Sequence, residues 1–281
     1  MSNSIKCVES KFYDAITELG RGMYGTAYLC AKKHNQQKLV MKEIKTNMKD
    51  DDLKLAKNEV AVLKSLKHPN IIQYFDSYLR KNTFYIMMEY ATSGTLHQYL
   101  YETQETLAPQ KVMNYFCQIL MGLDHIHEKK VIHRDLKCEN IFLTGRKAEV
   151  VKIGDFGISK LTVKNNLAKT VVGTCNYLAP ELCDEMPYDY KVDIWSLGCI
   201  LYELCMRKRM FEGSLTYVIT SITRGNIKEV DIPRYGQQMQ EIISSVMKLN
   251  PADRPDTKTL MCYPDIFPTM YVLGTTLGCI F

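Results

Sequence analysis

The sequence predicts an α+β protein of two lobes, a small antiparallel β-sheet lobe with one main helix followed by a larger, mainly helical lobe. Three observations carry this. From Phe12 to Lys45 the chain runs as short apolar segments, Ile16 to Leu19, Ala27 to Cys30 and Leu39 to Ile44, separated by glycine and polar turns. Asp50 to His68 then turns to helical periodicity. Further on, Val112, Phe116, Ile119, Leu120, Leu123 and Ile126 recur at helical spacing within Pro109 to Glu128, and Val192 to Met206 forms a strongly apolar helix carrying Trp195.

The chain has 281 residues, enough for two lobes with a large core, and its 24% charged and 46% apolar residues exclude a disordered or fibrous class. A net charge of +5 is modest and scattered, with no Lys/Arg run that would mark a nucleic-acid stripe or a polybasic membrane patch. We therefore expect neither nucleic acid nor membrane as a partner. Ten cysteines with no C-x-x-C pair argue against zinc, and no apolar signal segment opens the chain at Met1 to Ser10. Buried thiols in a reducing setting are expected. Met270 to Phe281 is uncharged but too short to span a bilayer, and Cys279 sits one place too late for prenylation.

The turn joining the first two predicted strands, Gly20-Arg21-Gly22-Met23-Tyr24-Gly25, is a G-x-G-x-x-G. A dinucleotide fold uses the same glycines between a strand and a helix. Here Thr26-Ala27-Tyr28-Leu29 alternates like a strand, and no acid follows at the ribose position, which excludes the oxidoreductase reading. The turn reads instead as a flap whose glycines let backbone N–H groups approach phosphates. Lys42 ends the apolar run Leu39-Val40-Met41, so it leaves a buried strand and needs an anionic partner. In the following helix Leu55, Val62 and Leu66 share one stripe with Glu59, and an inward glutamate is costly unless paired. We assign a Lys42–Glu59 ion pair. His68-Pro69-Asn70 stops the helix, and Phe84 to Met88 is a buried strand running into the connector Glu89-Tyr90-Ala91.

Two polar clusters follow, His133-Arg134-Asp135-Leu136-Lys137-Cys138-Glu139-Asn140 and Asp155-Phe156-Gly157. Ile141 to Leu143, a turn at Thr144-Gly145-Arg146 and the return Val150 to Ile153 read as a hairpin holding the clusters side by side. An Asp to accept a proton, a Lys to neutralise phosphate, and an Asn and a second Asp to hold Mg²⁺ are the parts that phosphoryl transfer needs.

Taken in order, these motifs resemble the eukaryotic protein kinases over roughly residues 12 to 267. The resemblance implies a small lobe at about 12–88, a hinge at about 89–94 and a large lobe at about 95–267, flanked by an extension at 1–11 and a tail at 268–281 of unknown role. It implies ATP and Mg²⁺ as cofactors and protein substrates. Asp135 would be the base, with Lys137 on the γ-phosphate as in Ser/Thr kinases, and Asn140 and Asp155 would hold Mg²⁺. Lys42, oriented by Glu59, would meet the other phosphates. Leu19, Gly20, Gly22, Gly25, Ala27, Val40, Met88, Glu89, Ala91 and Phe142 would form the ATP site, with Met88 as gatekeeper and Phe142 as the adenine floor. Ala179-Pro180-Glu181 would close an activation segment, with Glu181 paired by Arg254. Thr174 would lie against Asp135 and Lys137, and Asp193 would hold the catalytic-loop backbone.

A buried Arg134 beside the base would stay uncompensated until an anion arrived, which makes phosphothreonine at Thr170, or less favourably Thr162, an activating switch set by an upstream kinase or by the protein itself. His68 to Ile72 leading to Tyr74, Asn140 to Leu143, Lys169 to Thr174 and Asp193 to Cys205 resemble the NIMA-related group. This makes cell-cycle, microtubule or ciliary roles, and a cytoplasmic, nuclear or centrosomal address, the expectation. A catalytically weak scaffold would have lost Lys42, Asp135, Asn140 or Asp155, and all four are present.

There are departures from the pattern. Cys175 stands where the family has proline, which would loosen the substrate-receiving loop, and Ile158 would favour Thr over Ser as acceptor. Ala27 and Val40 exchange the family's usual Val and Ala, a volume-conserving swap over the adenine. Ala27→Val alone should therefore weaken ATP binding, and adding Val40→Ala should restore it. Nucleotide titration of both variants checks this, and a double mutant no better than the single removes the swap.

Overall fold

The computed structural model describes residues 12–22, 25–45, 60–61, 63–80, 83–102, 106–155 and 175–278. These fall into two compact units, one within 12–68 and 72–91, the other within 69–71, 92–155 and 175–278.

In the first unit β1 (Tyr13–Gly22), β2 (Gly25–Lys32), β3 (Lys38–Lys45), β4 (Tyr74–Arg80) and β5 (Thr83–Glu89) form one antiparallel sheet in the order β1-β2-β3-β5-β4. Successive strand residues point to opposite faces. Cys30, Leu39, Met41, Tyr85 and Met87 bury one face, with Tyr13, Ala15, Tyr28 and Tyr78 packed on them. The register sets Ala27 against Lys42 and Lys42 against Ile86, and Leu29 against Val40 and Val40 against Met88, all on the other face. Ala27 and Val40 are thus diagonal neighbours, close enough for their volumes to be coupled. At Gly25 a Cβ would lie 1.9 Å from the Glu43 carbonyl oxygen, so only glycine lets β2 start there.

One detail departs from expectation. β4 is a strand that periodicity did not reveal, because Asp76 and Ser77 interrupt its apolar pattern at a bulge on the sheet edge. In the helical residues 60–61 and 63–65 the buried side chains are Val60 and Leu63, followed by the buried Leu66 of the expected stripe. Leu55, Glu59 and Val62 lie outside the described residues.

The second unit comprises α1 (Leu96–Glu102), α2 (Pro109–Glu128), β6 (Ile141–Thr144), β7 (Val150–Ile153), α3 (Pro180–Cys183), α4 (Lys191–Met206), α5 (Leu215–Thr223), α6 (Ile232–Tyr235), α7 (Gln237–Val246), α8 (Thr257–Met261) and α9 (Phe267–Leu277). Pro109 at the first turn of α2 and the apolar stripe behind it give the bounds the sequence predicted. α4 is buried on all sides from Val192 to Cys205, as a helix apolar all round must be. β6 and β7 pair from Ile141↔Ile153 to Thr144↔Val150, and Gly145 at φ 91° turns the chain between them. The hairpin is pinned by Asn70, which is fully buried. Its Nδ2 donates to Gln118 Oε1 and the Val151 carbonyl (both 2.9 Å), and its carbonyl accepts from Ile153 N at 2.8 Å.

Arg254 satisfies every donor of its guanidinium although only 1% of its surface is exposed. Nη1 and Nη2 donate to the Glu181 carboxylate at 2.6 and 2.7 Å, while Lys248, Lys191 and Leu249 supply carbonyls at 2.7, 3.0 and 3.0 Å. The guanidinium also lies 5.1 Å from the Trp195 ring centre. The expected Glu181–Arg254 pair is therefore present, and it ties α3 to the segment before α8. The tail left without a role begins as helix: α9 buries Met270 and Leu273, packs against α2, and leaves Phe267, Tyr271 and Val272 exposed. Removing one partner of a buried pair strands the other charge. Glu181→Ala should lower unfolding free energy by about 3–5 kcal/mol, and Glu181→Leu combined with Arg254→Met by less. Denaturant unfolding that ranks the double variant below the single contradicts this.

Candidate active site

The site starts from a buried carboxylate. Asp193, in the first turn of α4, is 1% exposed and accepts three hydrogen bonds, at Oδ2 from His133 N (2.8 Å) and His127 Nε2 (2.9 Å), and at Oδ1 from Arg134 N (2.9 Å). Burial pushes its pKa up, but the hydrogen bond from His127 and the backbone N–H of His133 more than reverse this and hold it below the ordinary carboxylate value. These bonds fix the backbone just before Asp135, where Arg134 has φ 64°, a left-handed conformation costing a non-glycine residue on the order of 1–3 kcal/mol.

His133 carries the same constraint to the other cluster. Its Nδ1 accepts from Asp135 N at 3.3 Å and its Nε2 donates to the Gly154 carbonyl at 3.1 Å, which assigns a neutral tautomer, and burial accordingly lowers its pKa. Gly154 N donates to the Asn140 carbonyl at 3.0 Å, and the next residue, Asp155, is again left-handed at φ 54°. Two strained carboxylate-bearing loops are thus tied to each other through one imidazole and one backbone bond.

Around Asp135 the polar groups converge. Asn140 Nδ2 donates to Asp135 Oδ2 (2.9 Å) and to its carbonyl (2.8 Å), and Lys137 Nζ lies 3.1 Å from Oδ2. Leu136 and Cys138, both fully buried, point the intervening polar residues outward, and burial pushes the Cys138 thiol pKa well up, which makes it an inert packing group. With its amide nitrogen on Asp135, Asn140 turns its amide oxygen the other way. An amide oxygen and the Asp155 carboxylate, joined by the 140–154 backbone bond, form the hard oxygen donor set that suits Mg²⁺. Phe142 bridges to Thr95 and is half-exposed on the side of β6 opposite the buried Ile141 and Leu143.

In the first unit, Lys42 is half-buried on the sheet face it shares with Ala27, Val40, Ile86 and Met88. Gly22 pairs with Gly25 across the expected flap, Gly20 pairs with Ala27, and Leu19 is exposed. Glu89 donates its N–H to the Gln73 carbonyl (2.8 Å) and accepts from Gln73 N on its carboxylate (3.1 Å), so that N–H is not available to a nucleotide. Ala91 is buried. Met23, Tyr24, Glu59, Phe156, Gly157, Ile158, Thr162, Thr170 and Thr174 lie outside the described residues.

Two expectations need correction. Arg134 is exposed, not buried, and its guanidinium lies 5.8 Å from the Tyr188 ring centre. Its left-handed backbone turns the side chain outward, so a desolvated charge is not what would draw an anion to it. Cys175 does not leave its neighbourhood loose. It opens a helical turn, Cys175–Tyr177, closed by Leu178 N to the Cys175 carbonyl (3.1 Å) and anchored by Asn176 Nδ2 to the Phe211 carbonyl (2.6 Å) and Ser196 Oγ to the Tyr177 carbonyl (2.9 Å).

Sequence reasoning also passed over a second polar cluster. Glu203 of α4 accepts from Tyr177 and Tyr101, and Arg209 clasps Glu139 at 2.6 Å. A glutamate inside the apolar run of α4 was the available signal.

Residues 13–265 match the family model described as the protein kinase domain. The chain is 39% identical to serine/threonine-protein kinase Nek8 of Danio rerio, over 95% of this chain and 38% of that protein. It is 38% identical to Nek5 of Homo sapiens, over 90% and 36%, and 36% identical to nekl-2 of Caenorhabditis elegans, over 95% and 77%. The chain therefore spans under two fifths of the length of the first two and about three quarters of the third.

Because the folded pKa of Asp193 lies below its ordinary 3.8, its contribution to stability is fully present above that value and is lost as pH falls through the lower folded value. Between pH 5 and pH 3, an interval that spans the ordinary value of 3.8, the wild type should lose stability more steeply than Asp193→Asn. Denaturant unfolding across that interval measures the slopes, and equal slopes would show that Asp193 is not linked to folding.

Proposed function

This chain belongs to the protein kinase family, among the NIMA-related (Nek) serine/threonine kinases, and from that premise we propose that it transfers the γ-phosphate of ATP to serine and threonine hydroxyls of protein substrates. The observation that carries the reading is the convergence of Asn140 Nδ2 and Lys137 Nζ on Asp135 Oδ2, at 2.9 and 3.1 Å. These contacts orient the carboxylate as a base and set a positive charge beside it. A substrate hydroxyl on Asp135 is aligned for attack. Its oxygen bonds to the γ-phosphorus, the bond from that phosphorus to the β-phosphate bridging oxygen breaks, ADP leaves with the electron pair, and the hydroxyl proton passes to Asp135. Lys137 neutralises charge on the transferring group. Asn140 and Asp155 would hold Mg²⁺, which supplies charge neutralisation to the phosphates when bound.

On this reading Lys42, paired with Glu59, steadies the α- and β-phosphates, and the flap at Gly20, Gly22 and Gly25 covers them. Leu19, Ala27, Val40, Met88 and Phe142 contact the base, with the Glu89 carbonyl and Ala91 supplying backbone hydrogen bonds. Thr174 abuts the base and lysine. Phosphate on Thr170, placed there by an upstream kinase or by the protein itself, would pair with Arg134. Because Arg134 is exposed, that pairing draws on charge-assisted hydrogen bonds, not on relief of a buried charge. Roles in cell-cycle, microtubule or ciliary regulation, at a cytoplasmic, nuclear or centrosomal address, follow from kinship alone. Free cysteines such as Cys30, Cys117 and Cys199 support a reducing compartment, and among the described residues no helix is long and apolar enough to cross a membrane.

Transfer of labelled phosphate from Mg-ATP to casein and to the protein itself tests the proposal. Wild type should label both, Asp155→Ala should fall to background, and Thr170→Ala should keep only a minor part of the rate. Equal labelling by wild type and Asp155→Ala would move the reading to a binding scaffold, and equal labelling by Thr170→Ala would remove the switch.

A further inference from the structure

Phosphoryl transfer and its switch leave one aromatic contact unused. Arg134 is exposed, and its guanidinium lies 5.8 Å from the centre of the Tyr188 ring, within the range of a cation–π contact. Tyr188 is itself 43% exposed, so core packing does not place its ring there. The loop that carries it is anchored on both sides. Met186 N donates to the Glu181 carbonyl at 2.8 Å, Lys191 N donates to Asp189 Oδ1 at 2.8 Å, and Pro187 fixes its own φ just before Tyr188. Opposite, Arg134 N is bound to Asp193 Oδ1 in the first turn of α4, the helix that this loop leads into. Ring and guanidinium are thus both positioned from the start of α4.

The kind of contact matters. A carboxylate would hold a guanidinium by its N–H edges and use the donors that a phosphate needs. A ring holds it by its face and leaves the in-plane N–H fork for an acceptor. Arg254 shows that the two modes coexist, since it lies 5.1 Å from the Trp195 ring centre while its edges take Glu181 and three carbonyls. We infer that Tyr188 is a positioning residue for the switch, a shelf that presents the N–H fork of Arg134 to a phosphomonoester on the activation segment. The inference rests on the proposed pairing of phosphate at Thr170 with Arg134. A side chain that only covered the loop would be replaced equally well by leucine. A side chain that acts through its ring quadrupole ranks Trp at or above Tyr and Phe, with Leu last.

The test uses the full chain with phosphothreonine incorporated at position 170 during translation, so that it does not depend on the chain's own activity. Phosphate release by an added serine/threonine phosphatase is timed, because a phosphate paired with Arg134 is protected, and Arg134→Ala marks the unprotected rate. Tyr188→Leu should release phosphate about two- to five-fold faster than wild type, the effect of losing an exposed cation–π contact. Tyr188→Phe and Tyr188→Trp should release it at or below the wild-type rate. Adding Tyr188→Leu to Arg134→Ala should change the rate no further, since the ring acts only through the guanidinium. A Leu variant as protected as wild type overturns the inference, as does a further change in the Arg134→Ala background. If the Leu variant does not fold, Trp decides alone: wild-type protection supports the inference, and release at the Arg134→Ala rate overturns it. Wild type that releases phosphate as fast as Arg134→Ala overturns the Thr170–Arg134 switch itself, and the shelf with it.

Discussion

The rest of the site depends on one buried negative charge. Taking a carboxylate out of water costs several kcal/mol unless hydrogen bonds replace the lost hydration, and Asp193 recovers that cost from three donors, two of which are backbone N–H groups of a loop that would otherwise not hold its shape. The compensation is mutual. The loop residues are held in place because Asp193 needs them, and Arg134 keeps a left-handed φ of 64° because its N–H is committed to Oδ1. Strain near a functional loop persists only when the surroundings over-determine it, and a carboxylate on the most buried helix of the unit is a rigid point from which to do so.

α4 repeats this device. It is apolar nearly throughout, yet it presents Asp193, Ser196 and Glu203 inward to polar partners: Asp193 to 133–134, Ser196 to the Tyr177 carbonyl, Glu203 to Tyr177 and Tyr101. Burial disfavours ionisation of Glu203 and raises its pKa despite its tyrosine donors, whereas Asp193, with an imidazole and two backbone amides, ends below its ordinary value. The like charge of Glu139 adds to the effect of burial on Glu203, whereas the donors around Asp193 outweigh its burial. Arg254 completes the pattern from outside the helix, carrying Glu181 and three carbonyls at once and stacking on Trp195 of the same helix.

Much of this was legible in the sequence wherever the signal was periodic or chemical. α2, α4, β5 and the β6–β7 hairpin follow from apolar spacing and one glycine turn, and the pairing of Glu181 with Arg254 and the hold of Asp193 on the loop follow from motif resemblance. What was not legible depends on backbone conformation or on edge position. β4 carries Asp76 and Ser77 at a bulge, so its alternation is broken where the ladder itself is irregular. The exposure of Arg134 could not be inferred because it follows from a positive φ, which nothing in the side chain of arginine announces. Cys175 misled for a related reason: the sequence shows the missing proline but not the hydrogen bonds from Leu178, Asn176 and Ser196 that order the turn.

These misses share a physical cause, and it bears on how the site is built. Side-chain patterns report burial, because burial repeats with the period of the element. The placement of Asp135 and Asp155 is not a matter of burial. It is set by two left-handed residues, an imidazole shared between Asp135 N and the Gly154 carbonyl, and the 140–154 backbone bond. None of these is periodic, and each is held by a group many residues away in sequence. Asp193 lies 60 residues from His133, and Gly154 lies 21 residues from it. A chain that needs two carboxylates near each other, against their repulsion, gains by fastening them through the backbone, because a backbone bond fixes position without neutralising the charge that the chemistry uses. That separation of holding from reacting is why the residues that touch the reaction could be read from their chemistry, while the left-handed residues and the shared imidazole that place them could be found only from the geometry.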